Sequence, residues 1–134
     1  MKKLSRKLTS DWSLKKPLYV EKTDKRYARH VKQLKENGFS DAETWSLDSV
    51  ICQFILPRLI RFRELHNGFP GGWEDIDEHK WEAMLDKMIF AFDWSLNHEE
   101  DKYDGLSEEV QTENWKRYQE GMDLFSKWFR HLWW

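Results

Sequence analysis

Apolar residues recur along this chain at intervals of three and four, the spacing of one helical face. Tyr27, Val31 and Leu34 mark a short amphipathic segment over Asp24–Asn37, and Gly38 stands where a helix stops on a left-handed residue. Ser40 and Glu43 have the capping-box spacing, with Phe39 as a hydrophobic staple, so the pattern starts a second helix at residue 40. Leu47, Val50, Ile51, Phe54, Ile55, Leu59, Phe62 and Leu65 give it a broad apolar face. Pro57 removes one backbone bond and predicts a kink. His66-Asn67-Gly68 ends the segment, and Phe69-Pro70-Gly71-Gly72 has the composition of a turn.

A third helix is predicted to start at Asp75, with Glu78 three residues on and Trp73 as a staple. Trp81, Met84, Leu85, Met88, Ile89, Phe92 and Leu96 form its stripe, and the acidic stretch from Asn97 to Gly105 is a loop. Ser107 caps a fourth helix carrying Val110, Trp115, Tyr118, Met122, Phe125, Phe129 and Leu132, widened by Leu124, Trp128 and Trp133. So wide a stripe implies burial on two sides, within a bundle or at an oligomer interface. The expected core is Leu47, Phe54, Leu59, Phe62, Leu85, Met88, Ile89, Phe92, Met122, Phe125 and Phe129. No run alternates apolar and polar residues over strand length, so the expected fold class is all-α: an antiparallel bundle of three long helices plus a short basic N-terminal helix. The first 20 or so residues read as irregular.

Composition adds to this picture. At 134 residues, 40% hydrophobic and 34% charged, the chain has the make-up of a soluble globular domain. A single cysteine excludes an internal disulfide and a Cys-based zinc site, and with no signal-like or membrane-length apolar run it points to the cytoplasm. Charge divides the chain. Residues 1–37 hold twelve Lys and Arg against four acids, whereas residues 38–134 hold ten bases and twenty acids. The division predicts a basic arm over 1–37 and a bundle domain over 38–134. The arm suits nucleic acid, or docking on the acidic body of the same or a second copy.

Candidate chemistry is sparse. Arg58 and Arg61 share a helical face, and with the rings of Trp45 and Trp81 they make the nearest approach to a guanidinium-plus-stacking site for a nucleotide or phosphate. Asp48 joins this ligand-binding set, and equally suits the dipole of a helix start. Glu78, Glu82 and Asp86 line one strip of the third helix, with Glu120 and Asp123 on the fourth, a pattern a Mg²⁺-dependent hydrolase would use. No His (30, 66, 79, 98, 131) falls in a Glu-x-x-His or His-x-x-x-His pair, so no metal site is expected. No phosphate loop is present, Cys52 reads as a small core residue, and no catalytic residue or cofactor is assigned. Nine tryptophans exceed what one small core absorbs, and the excess predicts a homo-oligomer.

The stretch Gly38-Phe39-Ser40-Asp41-Ala42-Glu43-Thr44-Trp45-Ser46-Leu47-Asp48 resembles the opening of a family of small accessory proteins of tailed bacteriophages. Phe54-Ile55-Leu56-Pro57-Arg58-Leu59, Trp81–Ile89 and Gly121–Phe129 are similar to the same group, so the likeness spans residues 38–134. It implies a phage accessory protein working in the host cytoplasm and carries no activity with it. Taken with the residues, the leading expectation is a non-catalytic counter-defence protein that sequesters a small nucleotide signal or inhibits a host protein. The alternatives are a Mg²⁺-dependent all-α nucleotide pyrophosphatase and a nucleic-acid-binding accessory protein. No membrane association is expected.

Overall fold

A computed structural model describes residues 17–72, 75–99 and 103–133, and all regular structure among them is helical. The α-helices are α1 (Tyr27–Asn37), α2 (Leu47–Leu65), α3 (Glu78–Asn97) and α4 (Glu108–Trp128), with 3₁₀ turns at Asp41–Thr44 and Phe129–His131. None is long and apolar enough to cross a membrane. The expectations placed on residues 1–16 and on Trp73 as a staple lie outside the described residues. Contacts group the chain into two compact units, 1–57 and 58–134, the boundary falling within α2. That helix runs on through Pro57.

In the first unit, α1 ends as its sequence predicts. Gly38 takes φ +81° and its N–H donates to the Leu34 carbonyl at 3.0 Å. Its start moves to Tyr27, because Asp24 serves the turn before it. The Asp24 carboxylate accepts from the Arg26 N–H at 2.8 Å and from the Arg26 guanidinium at 2.9 Å, which holds the Asp24 carboxyl down at about 2.

The Ser40–Glu43 motif departs from expectation. Glu43 does accept from the Ser40 N–H, at 2.9 Å, but the motif opens a single 3₁₀ turn and α2 begins only at Leu47. Gln33 of α1 supplies the reason, donating to Asp41 Oδ2 at 2.7 Å and accepting from the Asp41 N–H at 2.9 Å. The Thr44 hydroxyl donates to the Asp41 carbonyl at 2.7 Å. These bonds close the turn on itself, and it does not continue as an α-helix. Val20, Leu34, Ala42, Val50, Cys52 and Leu56 are buried here, together with His30, whose ring meets the Trp45 ring edge-on at 5.5 Å. Leu47 and Phe54, expected inside, are exposed.

In the second unit α3 and α4 form an antiparallel pair. The start of α3 meets the end of α4 through Trp81 and Trp128, at 6.1 Å between rings, and its end meets the start of α4 through Trp94 and Trp115, at 5.9 Å. The cap of α3 is Asp77, whose Oδ1 accepts from the Lys80 N–H at 2.8 Å. The predicted cap, Asp75, sits at φ +66°, outside the extended geometry a cap needs. Ser107 caps α4 as expected, accepting from the Val110 N–H at 3.3 Å. Of the predicted stripe of α3, Trp81, Leu85, Met88, Ile89 and Phe92 are buried, and Met84 and Leu96 are half-buried.

On α4 the buried positions are Asn114, Gly121 and Trp128, seven residues apart. Val110 and Phe129, placed inside by their hydrophobicity, are exposed, and Phe125 is half-buried with its ring 4.8 Å from that of Phe92. The seam follows Gly121, which lets the two backbones approach. A side-chain carbon there would fall on the Lys87 carbonyl oxygen and lie 2.6 Å from Ala91 Cβ.

One buried carboxylate locks the end of the hairpin. Asp93 accepts from Asn97 Nδ2 at 2.8 Å and from the Tyr103 hydroxyl at 2.9 Å. Burial first, and then the bond to Asp93, push the Tyr103 phenol above its ordinary value of 10.0. Tyr103→Phe is expected to lose about 1–2 kcal/mol at neutral pH, because a half-buried bond to a charged group is removed. The sign of the pH effect follows from proton uptake. A phenol that keeps its proton longer when folded contributes fully below pH 10.0, and loses that contribution as the pH rises toward the folded value. Denaturation above pH 10.0 should therefore show the wild type losing stability faster than the Phe variant.

Candidate functional site

The predicted ligand set is divided between the two units. Trp45 closes the 3₁₀ turn of the first unit, half exposed, with the Arg26 guanidinium 5.2 Å from its ring centre. Asp48 lies exposed in the first turn of α2, where a carboxylate complements the free N–H groups. In the second unit Arg58 is exposed, and Arg61 pairs with Glu64 one turn on, at 2.9 Å. Trp81 is 1% exposed and packs on Trp128, so its ring belongs to the core first. It also forms part of the wall of a cleft of about 380 Å³ shared with Phe69, Pro70, His131 and Trp133.

The acidic strip of α3 acquires partners from the end of α2. Arg63 donates through Nε to Asp86 Oδ1 at 2.9 Å, and its Nη2 lies 3.3 Å from Glu82 Oε2. The hydrogen bonds to Asp86 hold its guanidinium above the ordinary arginine value, so this cation is permanent. His66 follows one turn later. Its Nδ1 is 2.8 Å from the Gly68 carbonyl oxygen, and its Nε2 is 3.1 Å from Glu82 Oε1. The ligand atoms of His66, Glu78 and Glu82 all lie within 4.8 Å of one another.

Sequence spacing groups Glu78, Glu82 and Asp86 correctly but has no means of adding His66. The histidine precedes Glu78 and Glu82 by 12 and 16 positions, across a turn rich in Gly and Pro, and no short motif spans such a gap. The signal in the chain is weaker: a histidine at the end of one helix, followed by a glycine whose carbonyl is free to orient it.

A different kind of surface occupies α2. Leu47, Ile51 and Phe54 stand four and three residues apart on one helical face and are 53%, 52% and 42% exposed. Trp45 lies just ahead of them in the chain. In the second unit Trp115, Phe129 and Trp133 are exposed. Isolated apolar side chains on a surface are ordinary, whereas three in register on one helix form a stripe.

No known protein family, characterised protein or solved structure matches the chain.

Proposed function

We propose that this chain is a non-catalytic accessory protein of the tailed-phage kind, which works in the host cytoplasm by binding a host protein stoichiometrically, as counter-defence. The resemblance over residues 38–134 supports the class, and the stripe Leu47-Ile51-Phe54 carries the choice of target. Helix-in-groove recognition uses apolar anchors at this spacing, and rings and aliphatic side chains dominate such contacts once water is expelled. The nucleotide target has less support: Trp81 is committed to the core, and Arg61 already pairs with Glu64 at 2.9 Å. A hydrolase on the acidic strip is likewise weakened, because Arg63 occupies Asp86 and one oxygen of Glu82. The exposed Trp115, Phe129 and Trp133 support a homo-oligomer as a second feature of the same protein.

Photo-crosslinking in bacterial cells tests the reading. With benzoylphenylalanine at position 51, one defined host polypeptide should be captured, and the same probe at exposed Lys116 of α4 should not capture it. The combined variant Leu47→Gln, Ile51→Gln, Phe54→Gln should lose the partner by at least tenfold, about 1.4 kcal/mol, with its helical circular dichroism unchanged. Capture of a second copy in place of a host polypeptide makes this stripe a self-interface and sinks the host-protein reading.

A further inference from the structure

We propose that His66, Glu78 and Glu82 form a binding site for a divalent first-row transition-metal ion, with Gly68 and Arg63 holding its ligands in place. The site lies within the second unit, and the inference is independent of the protein-binding reading.

Hydrogen-bond polarity places one ring hydrogen of the imidazole. A backbone carbonyl only accepts, so the 2.8 Å contact with Gly68 assigns the ring hydrogen of His66 to Nδ1. In the neutral ring, Nε2 then carries a lone pair, and the atom facing it at 3.1 Å is a carboxylate oxygen, which also only accepts. Two acceptors do not settle that close without a cation on or between them. The ring cannot turn away to solvent, since the His66 side chain is only 4% exposed. Either a second proton sits on Nε2 or a metal ion does.

Three observations favour the metal. Glu78 brings a second carboxylate oxygen to the same place, from one turn earlier on α3, and a single proton has no use for it. The supports are those of a metal centre: the carbonyl of Gly68 orients the imidazole, and Arg63 occupies Glu82 Oε2 and so presents Oε1 to His66. The charge also matches. Glu78, Glu82 and Asp86 against Arg63 leave a local charge of about −2 with a neutral imidazole, which a divalent ion cancels.

The donor set indicates the class of ion. One imidazole with two carboxylates suits zinc, cobalt, iron or manganese better than magnesium or calcium, which prefer oxygen alone. Bonds of about 2.0–2.1 Å place tetrahedral ligand atoms about 3.3 Å apart, so a spread of up to 4.8 Å has to tighten. Glu78 can supply the movement, because it is exposed at the first position of α3 and has three side-chain torsions to adjust. Three protein ligands leave a fourth position for water.

Calorimetric titration of zinc chloride into the chelator-treated full-length chain tests this, with cobalt(II) absorption as a second readout. One equivalent of zinc should bind, magnesium should not displace it, and tetrahedral cobalt bands should appear. His66→Asn and Glu82→Gln should each weaken zinc binding by at least tenfold. Should His66→Asn disturb folding by circular dichroism, Glu78→Gln at the exposed start of α3 serves instead, with the same tenfold loss expected. Absence of saturable zinc binding overturns the proposal and leaves an imidazolium–carboxylate pair. So does zinc binding that these variants do not change, since the ion is then held by other histidines. Nitrogen-15 spectra provide an independent measurement: Nε2 of His66 should move to a metal-bound shift on adding zinc, and a shift that stays in the protonated range overturns the site.

Discussion

Trp81→Ala is expected to lower the stability of the second unit by about 3–5 kcal/mol, the range for removing a large buried aromatic ring. Trp81 is 1% exposed, lies in the first turn of α3 and meets Trp128 from the last turn of α4, so it joins the two ends of the antiparallel pair. The cavity left would be bordered by Trp128, which packs on the same ring, and would join the cleft lined by Phe69 and Pro70. A urea titration followed by far-ultraviolet circular dichroism measures the loss. The result also separates two roles for the residue. A tryptophan whose business is stacking on a ligand can be replaced with a loss of binding and less than about 1 kcal/mol of stability, and that outcome would return Trp81 to the ligand site in which its sequence context places it.

The sequence suggests a ligand site there because spacing sets Arg58 and Arg61 on one helical face, and spacing is silent about what stands beside them. Glu64 already occupies Arg61, and burial already occupies Trp81. Periodicity is equally silent about which of two apolar faces is covered. Leu47, Ile51 and Phe54 carry the same helical signal as Leu85, Met88 and Phe92, yet the first three are exposed and the second three buried. Features set by local sequence agree with the structure: the glycine stop of α1, the serine cap of α4, the stripe of α3 and the strip of Glu78, Glu82 and Asp86. Features set by a neighbour do not. Gln33 reaching Asp41 turns a helix start into a 3₁₀ turn, and the end of α2 brings His66 and Arg63 to the acidic strip.

Gly121 is the sharpest case, because its effect runs against hydrophobicity. Hydrophobic spacing on α4 points to Val110, Trp115, Tyr118, Met122 and Phe125, widened by Leu124 and Trp128, whereas the buried seam runs Asn114, Gly121, Trp128 and shares only Trp128 with that stripe. A residue without Cβ lets α4 lie directly against the backbone of α3, and that gain in contact fixes which face turns inward. Two opposing effects decide what a substitution does. Alanine is a better helix former than glycine by about 1 kcal/mol. Its Cβ would fall on the Lys87 carbonyl oxygen and 2.6 Å from Ala91 Cβ, and neither can swing aside, one being backbone and the other a methyl fixed to a helix. Overpacking of this kind costs about 3 kcal/mol, the upper part of its usual range. Gly121→Ala should therefore be net destabilising by about 2 kcal/mol once the propensity gain is subtracted. Gly121→Val, bulkier and a poorer helix former, should lose about 3 kcal/mol or more, with the Trp81–Trp128 contact opened and tryptophan emission shifted to the red. Urea midpoints for the two variants give the answer. A Gly121→Ala protein more stable than the wild type by about 1 kcal/mol would mean that propensity alone is felt, and that α3 and α4 do not approach closely at this position in solution.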